Sequence, residues 1–325
     1  MRVKKTVIVG LIVAVILALI FRPQYIKSVQ DGLLLFCVNV LPALFPFFFF
    51  TKLLTELGVA EDLGKIFKKP LKFLYNAPPV SGYIYIMSLL SGYPVGARLV
   101  YDFYQQGLLD TEDCKSVCSF CSTSGALFIV GTVGSCLLNN ATFGILLYVI
   151  HIASSALNGL LYRSKKKLNT QNYNAKTLDV KNTSILSVSI ESAIGSILMV
   201  GGYIAIFNFI VDLCIDFKFI DALAKPFEYL SMLINFKDYQ AIKPSIMSLI
   251  EMTRGAMELS KLQISAPVLL GLISMAVAFG GMSVTLQSMT YLSQCKISPL
   301  YYLKTKITQG VIAGFLGYIF ALILF

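Results

Sequence analysis

The chain has 325 residues, of which 56% are hydrophobic and only 14% are charged, and its mean hydropathy is +0.75. Soluble globular chains are about 25% charged, so this composition excludes a soluble domain and indicates a polytopic membrane protein. The net charge of +10 does not point to nucleic acid, because half of it lies in one loop, Arg163–Lys181. Such a basic loop is typical of the cytoplasmic side of a membrane protein.

The first predicted element is an N-terminal membrane anchor over residues 1–27. Basic residues at the start precede an apolar run at 6–21, as in a signal peptide. The following Phe21-Arg22-Pro23 offers no small residues for cleavage. We therefore expect this segment to remain as an uncleaved membrane helix.

Next come a long apolar segment at 28–52 and an amphipathic stretch at 56–76, whose lysines should place it along the cytoplasmic surface. The following apolar segment, 82–105, is interrupted at its centre by Ser91-Gly92-Tyr93-Pro94-Val95-Gly96. An unbroken crossing helix would not carry two glycines and a proline there. Each arm of about ten residues spans ~15 Å, half of the ~30 Å hydrocarbon core. The sequence therefore predicts a re-entrant hairpin of two half-helices.

The basic loop supports this hairpin. If the N-terminus is inside and 82–105 is a full crossing, five crossings precede the loop and place it outside, against the positive-inside rule. A hairpin that enters and leaves on one face removes one crossing and returns the loop to the cytoplasm. Residues 163–183 are therefore interpreted as a basic cytoplasmic linker.

The segments on either side of this linker, 28–162 and 184–325, share an order of parts: a long apolar helix, an amphipathic stretch, a hairpin and a glycine-rich helix. The second hairpin is placed at 264–294, around Gly280-Gly281. The predicted fold class is an all-α polytopic integral membrane protein with two inverted repeats, each with a re-entrant helical hairpin and a broken transmembrane helix. The orientation of the second half changes if 240–262 is itself a crossing.

Polar groups at the first tip are candidate solute ligands. The predicted substrate-binding residues there are Ser91, Gly92, Tyr93, Pro94 and Gly96, which offer hydroxyls and a closely approachable backbone. Arg98 lies four residues beyond the tip, and a cation near the bilayer centre costs roughly 2.5–3.5 kcal/mol on insertion scales. It is interpreted either as a ligand for an anionic solute or as the partner of Asp102 at i+4.

Two further groups of candidates come from the helix after the first hairpin and from the second predicted tip. Ser122, Thr123 and Ser124 predict either close helix packing or a local unwinding that turns hydroxyls and amides toward a solute. The second-half candidates, which lie beside the second tip or in the matching helix, are Gly280, Gly281, Ser283, Thr285, Gln287 and Gln309.

Glu251, Thr253 and Arg254 form the most polar cluster of the second half. Glu251 and Arg254 are three residues apart and would pair on a solvated helix face. Alternatively, Glu251 lies within the membrane and is a site for a coupling proton or cation. Both interpretations stay open at this point.

No phosphate-binding loop, metal-ligand pair or nucleophile–base set is found in the sequence, so we expect no enzyme activity, no cofactor, no metal and no nucleic-acid partner. Cys114, Cys118 and Cys121 match the C-x3-C-x2-C spacing of some iron–sulfur sites. The strand–helix alternation of those enzymes is missing, however, so buried apolar cysteines are the simpler interpretation. His151 is expected to be a buried side chain of an apolar helix.

The runs Ser88–Arg98, Gly107–Leu109 and Cys121–Gly125 resemble the family of the sporulation integral membrane protein YlbJ, also called stage V sporulation protein V. The likeness covers nearly the whole chain from about residue 28 onward. The family belongs to the nucleoside-recognition gate domain group, which is similar in plan to concentrative nucleoside transporters.

This resemblance implies a role in endospore formation, in which dipicolinic acid moves from the mother cell across the outer forespore membrane. Dipicolinate is a small aromatic dianion, and arginine, hydroxyls and half-helix amino termini suit its carboxylates. The alternatives are a nucleoside-type transporter or a scaffold of a sporulation complex that transports nothing. Nucleoside carriers place glutamine–glutamate pairs at their hairpin tips, and no such pair is recognisable here. The expected partners are the lipid bilayer and the small anionic solute. Association with a second copy of the chain stays an open alternative.

Overall fold

The structure is a computed structural model that describes residues 9–10, 13, 15–17, 19–166 and 185–324. Every regular element in this part of the chain is helical, as the composition predicts. Five helices are long and apolar enough to cross a membrane. The fold is therefore that of an all-α, multi-pass membrane protein.

The N-terminal half begins with one long apolar helix and ends with another. Its elements are α1 (Pro23–Leu35), a π-helical turn (Phe36–Val40), α2 (Leu41–Glu56), α3 (Val59–Tyr75), α4 (Ser81–Ser91), α5 (Val95–Gln105), α6 (Thr111–Cys121), a π-helical segment (Phe128–Leu137) and α7 (Ala141–Leu161). The first three run on as a single helix of 34 residues. Of the predicted anchor, 1–27, residues 1–8, 11–12, 14 and 18 lie outside the described residues.

The C-terminal half has the same order of parts. Its elements are α8 (Ile185–Asp216), α9 (Phe219–Leu233), a 3₁₀ turn (Tyr239–Ala241), α10 (Ile242–Ile250), α11 (Met252–Ser260), α12 (Ala266–Phe279), α13 (Gly281–Leu292), a second 3₁₀ turn (Ser293–Cys295) and α14 (Pro299–Leu324). Of the predicted linker, 163–183, only the first four residues are described.

The start of the linker is fixed to the end of the bundle where α6 begins. The Lys166 ammonium forms ion pairs with Asp110 and, at 3.6 Å, with Asp113, the two carboxylates that cap α6. The hydrogen bond to Asp110 raises the pKa of Lys166 above its ordinary value. Asn76, which ends α3, donates to the Ser164 carbonyl at 2.9 Å. The first residues of the linker, 163–166, and the end of the amphipathic α3 therefore meet at one end of the protein.

Helices α4 and α5 form a helical hairpin around the predicted break. Helix α4 ends at Gly92, whose φ of +83° is a conformation that favours glycine. The rings of Tyr83 and Phe103, near the outer ends of the two arms, meet edge to face with centroids 6.1 Å apart. In a straight helix these residues would be about 30 Å apart. The chain therefore turns back at Gly92, and the re-entrant path of this hairpin through the bilayer stays a prediction.

The hairpin packs closely against a break between α6 and the π-helical segment. A Cβ atom at Gly92 would lie 2.5 Å from the Gly125 nitrogen, and one at Gly96 would collide with the Cys121 carbonyl oxygen. The Ser88 hydroxyl bonds the Cys121 carbonyl and lies 2.7 Å from the Thr123 hydroxyl. Side chains of the hairpin thus satisfy backbone that the break leaves without helical partners.

The prediction of a hairpin at 264–294 is wrong. Helices α12 and α13 bend at Gly280 but continue in one direction, antiparallel to α14. The facing pairs along this path are Gly271 with Tyr318, Phe279 with Gly310, and Ser288 with Tyr302. A hairpin would have returned Ser288 to the neighbourhood of Gly271. The left-handed glycine at position 280 therefore breaks a helix without reversing it.

The second hairpin lies earlier in the chain, where α10 and α11 meet at Glu251. The two arms touch, since a Cβ at Gly255 would collide with the backbone of Ser248. Glu251 has extended backbone, and its carboxylate accepts the Arg254 N–H at 2.7 Å, which ends one helix and caps the next. Residues 240–262 thus form a helical hairpin, whereas the sequence had left open only a crossing in this segment.

With this correction the two halves match in five parts: long helix, amphipathic helix, hairpin, broken helix and long helix. Each part of the second half begins 155 to 162 residues after its counterpart in the first half. The offset is smallest for the broken helices, which begin at residues 266 and 111, and largest for the first long helices, which begin at residues 185 and 23. Such a constant offset indicates a structural repeat. The inverted orientation of the repeats in the membrane stays a prediction.

We expect Gly92→Ala to lower the free energy of unfolding by about 2–4 kcal/mol, because the methyl group meets both backbone strain and the Gly125 amide. Gly107→Ala is the matched control. Gly107 also has a positive φ, but no atom lies within 4 Å of the position that an added methyl group would take, so a loss of about 1 kcal/mol is expected. Thermal unfolding in detergent measures both. Equal losses of unfolding free energy in the two variants would show that the hairpin tip is not closely packed against the break.

Candidate functional site

A cleft lies where the two hairpin tips meet the two broken helices. It encloses about 420 Å³, part of it open to the outside. Apolar side chains of the long helices α1–α2 and α8 close its other wall. The lining residues are Val40, Leu44, Gly92, Tyr93, Ser124, Gly125, Phe128, Val200, Ile204, Glu251, Met252, Thr253, Val284 and Gln287.

The polar groups in this cleft are few, and none is a basic side chain. They come from Tyr93 and Ser124 in the first half and from Glu251, Thr253 and Gln287 in the second half. A mainly apolar cleft with a small number of convergent polar groups is typical of a site for a small molecule.

Several helices begin at the cleft. The helix after Gly125, the arm α5 and the arm α11 all have their amino-terminal ends beside it. The first four N–H groups of a helix have no partner within the helix, and the helix dipole adds partial positive charge there. These ends offer an anionic or hydrogen-bonding solute N–H donors without a charged side chain.

Glu251 is buried, with 1% of its surface exposed, and lies at the second tip. The structure does not support its predicted pairing with Arg254 on a solvated face. The Arg254 guanidinium turns away to Asp212 at 3.6 Å and Glu258 at 3.3 Å, and it donates to Asn208. Glu251 is therefore a carboxylate within the cleft, partly neutralised by the helix that it caps.

Arg98 does not line the cleft. Its guanidinium donates to the Ser192 carbonyl at 3.1 Å and to the hydroxyls of Ser192 and Ser196 on α8, and it lies 3.9 Å from Asp102. Of the two interpretations of Arg98, the structure favours the pairing with Asp102. Its contacts join the first hairpin to α8.

Six of the predicted site residues reach the cleft, namely Gly92, Tyr93, Ser124, Glu251, Thr253 and Gln287, whereas Thr285 lies outside the lining and donates to the Gly281 carbonyl. Others support it from behind. The Ser91 hydroxyl lies 2.5 Å from that of Thr51, Ser122 bonds the Tyr302 hydroxyl, and Ser283 accepts a hydrogen bond from Gln287 at 3.3 Å. The remaining predicted residues, which also lie outside the lining, are Pro94, Gly96, Arg98, Thr123, Arg254, Gly280, Gly281 and Gln309.

The supporting roles of two residues were not anticipated, although His151 was expected to be buried. His151 is buried and its Nε2 accepts the Ser124 N–H at 2.9 Å, so a neutral imidazole satisfies the break. Lys306 is also buried, and its ammonium donates to the Tyr93 hydroxyl, the Ser122 carbonyl and the Gln309 amide oxygen. Gln309 is three residues from Lys306, but the contacts with Tyr93, Ser122 and Ser124 join residues far apart in the sequence, so spacing carried no signal for them. In the part of the chain that the structure describes, no three His, Cys, Asp or Glu side chains converge as metal ligands would.

We expect Arg98→Ala to lower the free energy of unfolding by about 2–3 kcal/mol, because charge-assisted bonds to α8 are lost and Asp102 keeps no counter-charge. Arg22→Ala is the matched control. Arg22 also lies 3.9 Å from an aspartate, Asp216, but on the exposed surface, so less than about 1 kcal/mol should be lost. Chemical or thermal unfolding distinguishes the two. An unaltered stability of the Arg98 variant would contradict its structural assignment.

No protein-family model matches the chain. The chain is 26% identical over 308 residues to the sporulation integral membrane protein YlbJ of Bacillus subtilis (strain 168), covering 89% of this chain and 75% of that protein. Among solved structures, a substituted form of CNTnw in the intermediate 3 state, a concentrative nucleoside transporter, is similar with a TM-score of 0.48 and 14% identity, covering 96% of this chain and 85% of the other. The chain is thus similar to a sporulation integral membrane protein, which confirms the resemblance seen in its sequence.

Proposed function

We propose that the chain is a membrane transporter, not an enzyme, and that it carries a small solute through the cleft between the hairpin tips. One observation supports this most: both hairpin tips, the first helix break and the helix α13 that follows the second break line one cleft. Broken helices that meet at one place in a membrane protein supply polar backbone for a solute that lipid would exclude.

The wall opposite the tips suits a movement that opens the cleft. It is formed by apolar side chains of two long helices, Val40 and Leu44 on one and Val200 and Ile204 on the other. Apolar contacts have no fixed direction, so the hairpins can shift along them at low cost. The hydrogen bonds that join the hairpins to the long helices lie outside the cleft lining, and such a movement would have to exchange them: Ser91 bonds Thr51, Arg98 bonds Ser192 and Ser196, and Arg254 bonds Asn208.

For the solute we propose dipicolinic acid, moved across the outer forespore membrane, as the likeness to a sporulation protein suggests. Its ring would lie against the apolar wall and its carboxylates against helix amino termini. No basic side chain lines the cleft. The amino-terminal ends of helices would therefore bind the carboxylates, which is the role first expected of Arg98. The Glu251 carboxylate repels a dianion unless it takes up a proton or its charge stays directed at the N–H groups of α11 that it caps.

A neutral, hydrogen-bonding solute such as a nucleoside is the second candidate. The structure brings Glu251 and Gln287 into the same cleft although they lie in separate helices. A carboxylate and an amide side by side recognise hydroxyl and amino groups well. This pairing, which the sequence did not reveal, favours the nucleoside alternative.

The test is uptake of labelled dipicolinate and labelled uridine into liposomes that hold the purified protein, with and without a proton or sodium gradient. Saturable uptake of dipicolinate supports the proposal. Uptake of uridine alone favours the second candidate. Flux no greater than in protein-free liposomes for both solutes would contradict a transporter and leave the scaffold alternative.

We expect Gln287→Leu to weaken the apparent affinity for the transported solute about tenfold, because a hydrogen-bonding amide leaves the cleft. Gln294→Leu removes an amide that lies exposed on the turn after α13, where it bonds only the Thr290 carbonyl, and should leave the affinity unchanged. Concentration dependence of uptake gives both values. Similar losses in both variants would argue against the cleft as the binding site.

Replacing Glu251 by glutamine distinguishes a dianionic solute from a neutral one. Glutamine still offers an oxygen to the Arg254 N–H but removes the negative charge. For dipicolinate we expect the apparent affinity at neutral pH to rise at least about tenfold, since one repulsion at close range is lost. For uridine we expect no rise. A fall in dipicolinate affinity would show that the solute does not approach Glu251 as an anion.

A further inference from the structure

Lys306 holds a cation in the middle of the protein without a carboxylate partner. It lies on α14 with 1% of its surface exposed. Its ammonium donates to the Tyr93 hydroxyl at 2.7 Å, and to the Ser122 carbonyl and the Gln309 amide oxygen at 2.8 Å each. An ammonium has three N–H donors, and all three are used. Among the described residues, no Asp or Glu is close enough to pair with it.

Two helix carboxyl ends lie beside Lys306, one in direct contact and one through the Tyr93 hydroxyl. Ser122 is the residue that follows α6. The Tyr93 hydroxyl, which accepts from Lys306, donates in turn to the Ala278 carbonyl at 3.1 Å, in the last turn of α12. Helix carboxyl ends carry partial negative charge. The ammonium also lies 4.6 Å from the centre of the Tyr93 ring, over its electron-rich face.

This set of ligands is chemically a monovalent-cation site. Carbonyls at helix breaks, a hydroxyl and an amide oxygen are hard neutral ligands, and carbonyls at broken helices hold coupling cations in secondary transporters. The site joins the two halves, since Tyr93 and Ser122 come from the first and Lys306 and Gln309 from the second. A positive charge here draws the first tip and the first break onto α14.

We propose that the Lys306 ammonium is a tethered cation that fills an oxygen-lined site for a monovalent cation, so that the protein supplies this charge itself and needs no free sodium ion there. For solute transport this inference rests on the proposed function and predicts uptake independent of sodium. The cation site itself is defined by contacts alone and is tested without transport.

The test is the thermal stability of the purified protein in different chloride salts at equal ionic strength. The wild type should unfold at the same temperature in sodium, lithium, potassium or choline chloride. Lys306→Ala should unfold at a lower temperature and regain about 2–5 °C with ~100 mM sodium or ethylammonium, which fit the vacated site, but not with the bulky choline. A double variant, Lys306→Ala with Gln309→Glu, should respond more strongly, because it adds a carboxylate to the same oxygens.

Two variants control for charge and volume. Lys304→Ala removes an exposed lysine from the same helix and should show no cation response. Lys306→Met removes the charge but fills the space with an apolar chain, so it should be destabilised without rescue. A response of Lys306→Ala or of the double variant that these controls lack supports the proposal.

Two results would overturn the proposal: folded Lys306→Ala and double variants that no small cation stabilises, or a wild type that sodium stabilises over choline. If Lys306→Ala does not fold, the cation response of the thermal stability of the double variant and of the wild type tests the proposal. Because stability needs no solute, an absence of uptake by the wild type would contradict the proposed function and leave the cation site standing.

Discussion

A helix that stops inside a membrane leaves backbone amides and carbonyls that lipid cannot satisfy, and this constraint shapes the whole protein. At the first break, Ser88 bonds the Cys121 carbonyl, His151 accepts the Ser124 amide, and Lys306 donates to the Ser122 carbonyl. At the second tip the Glu251 carboxylate accepts a hydrogen bond from the Arg254 N–H in the first turn of α11. Several buried polar side chains of this apolar chain therefore serve backbone groups at places where helices end.

The same constraint separates two environments. Carboxyl ends of α6 and α12 converge behind the first tip, where a buried ammonium offsets their partial charge. Amino ends of helices converge on the other side and face the cleft. An arrangement of this kind holds a cation on one side and leaves N–H groups for a solute on the other.

The sequence predicted those features whose cause is local. Glycines and proline at the centre of an apolar run located the first tip. The small hydroxyl residues Ser122–Ser124 were compatible with close helix packing or with a local unwinding, and the structure shows a break there. The second tip was missed because Glu251 ends a helix by capping the next one, with no glycine or proline to mark it. Gly280 was misplaced as a tip, since only packing along α14 decides whether a left-handed glycine bends or reverses the chain. The position of Lys306 depends on partners some two hundred residues away.

The central claim is that the chain turns back at Gly92 within the bilayer, and accessibility labelling tests it most directly. Single cysteines would replace Lys72, before the hairpin, and Gln106, after it, in a protein whose exposed Cys37 and Cys136 are alanine. In sealed vesicles of known orientation, an impermeant thiol reagent should reach both positions from the same face. Labelling of the two positions from opposite faces would show a full crossing and contradict the account.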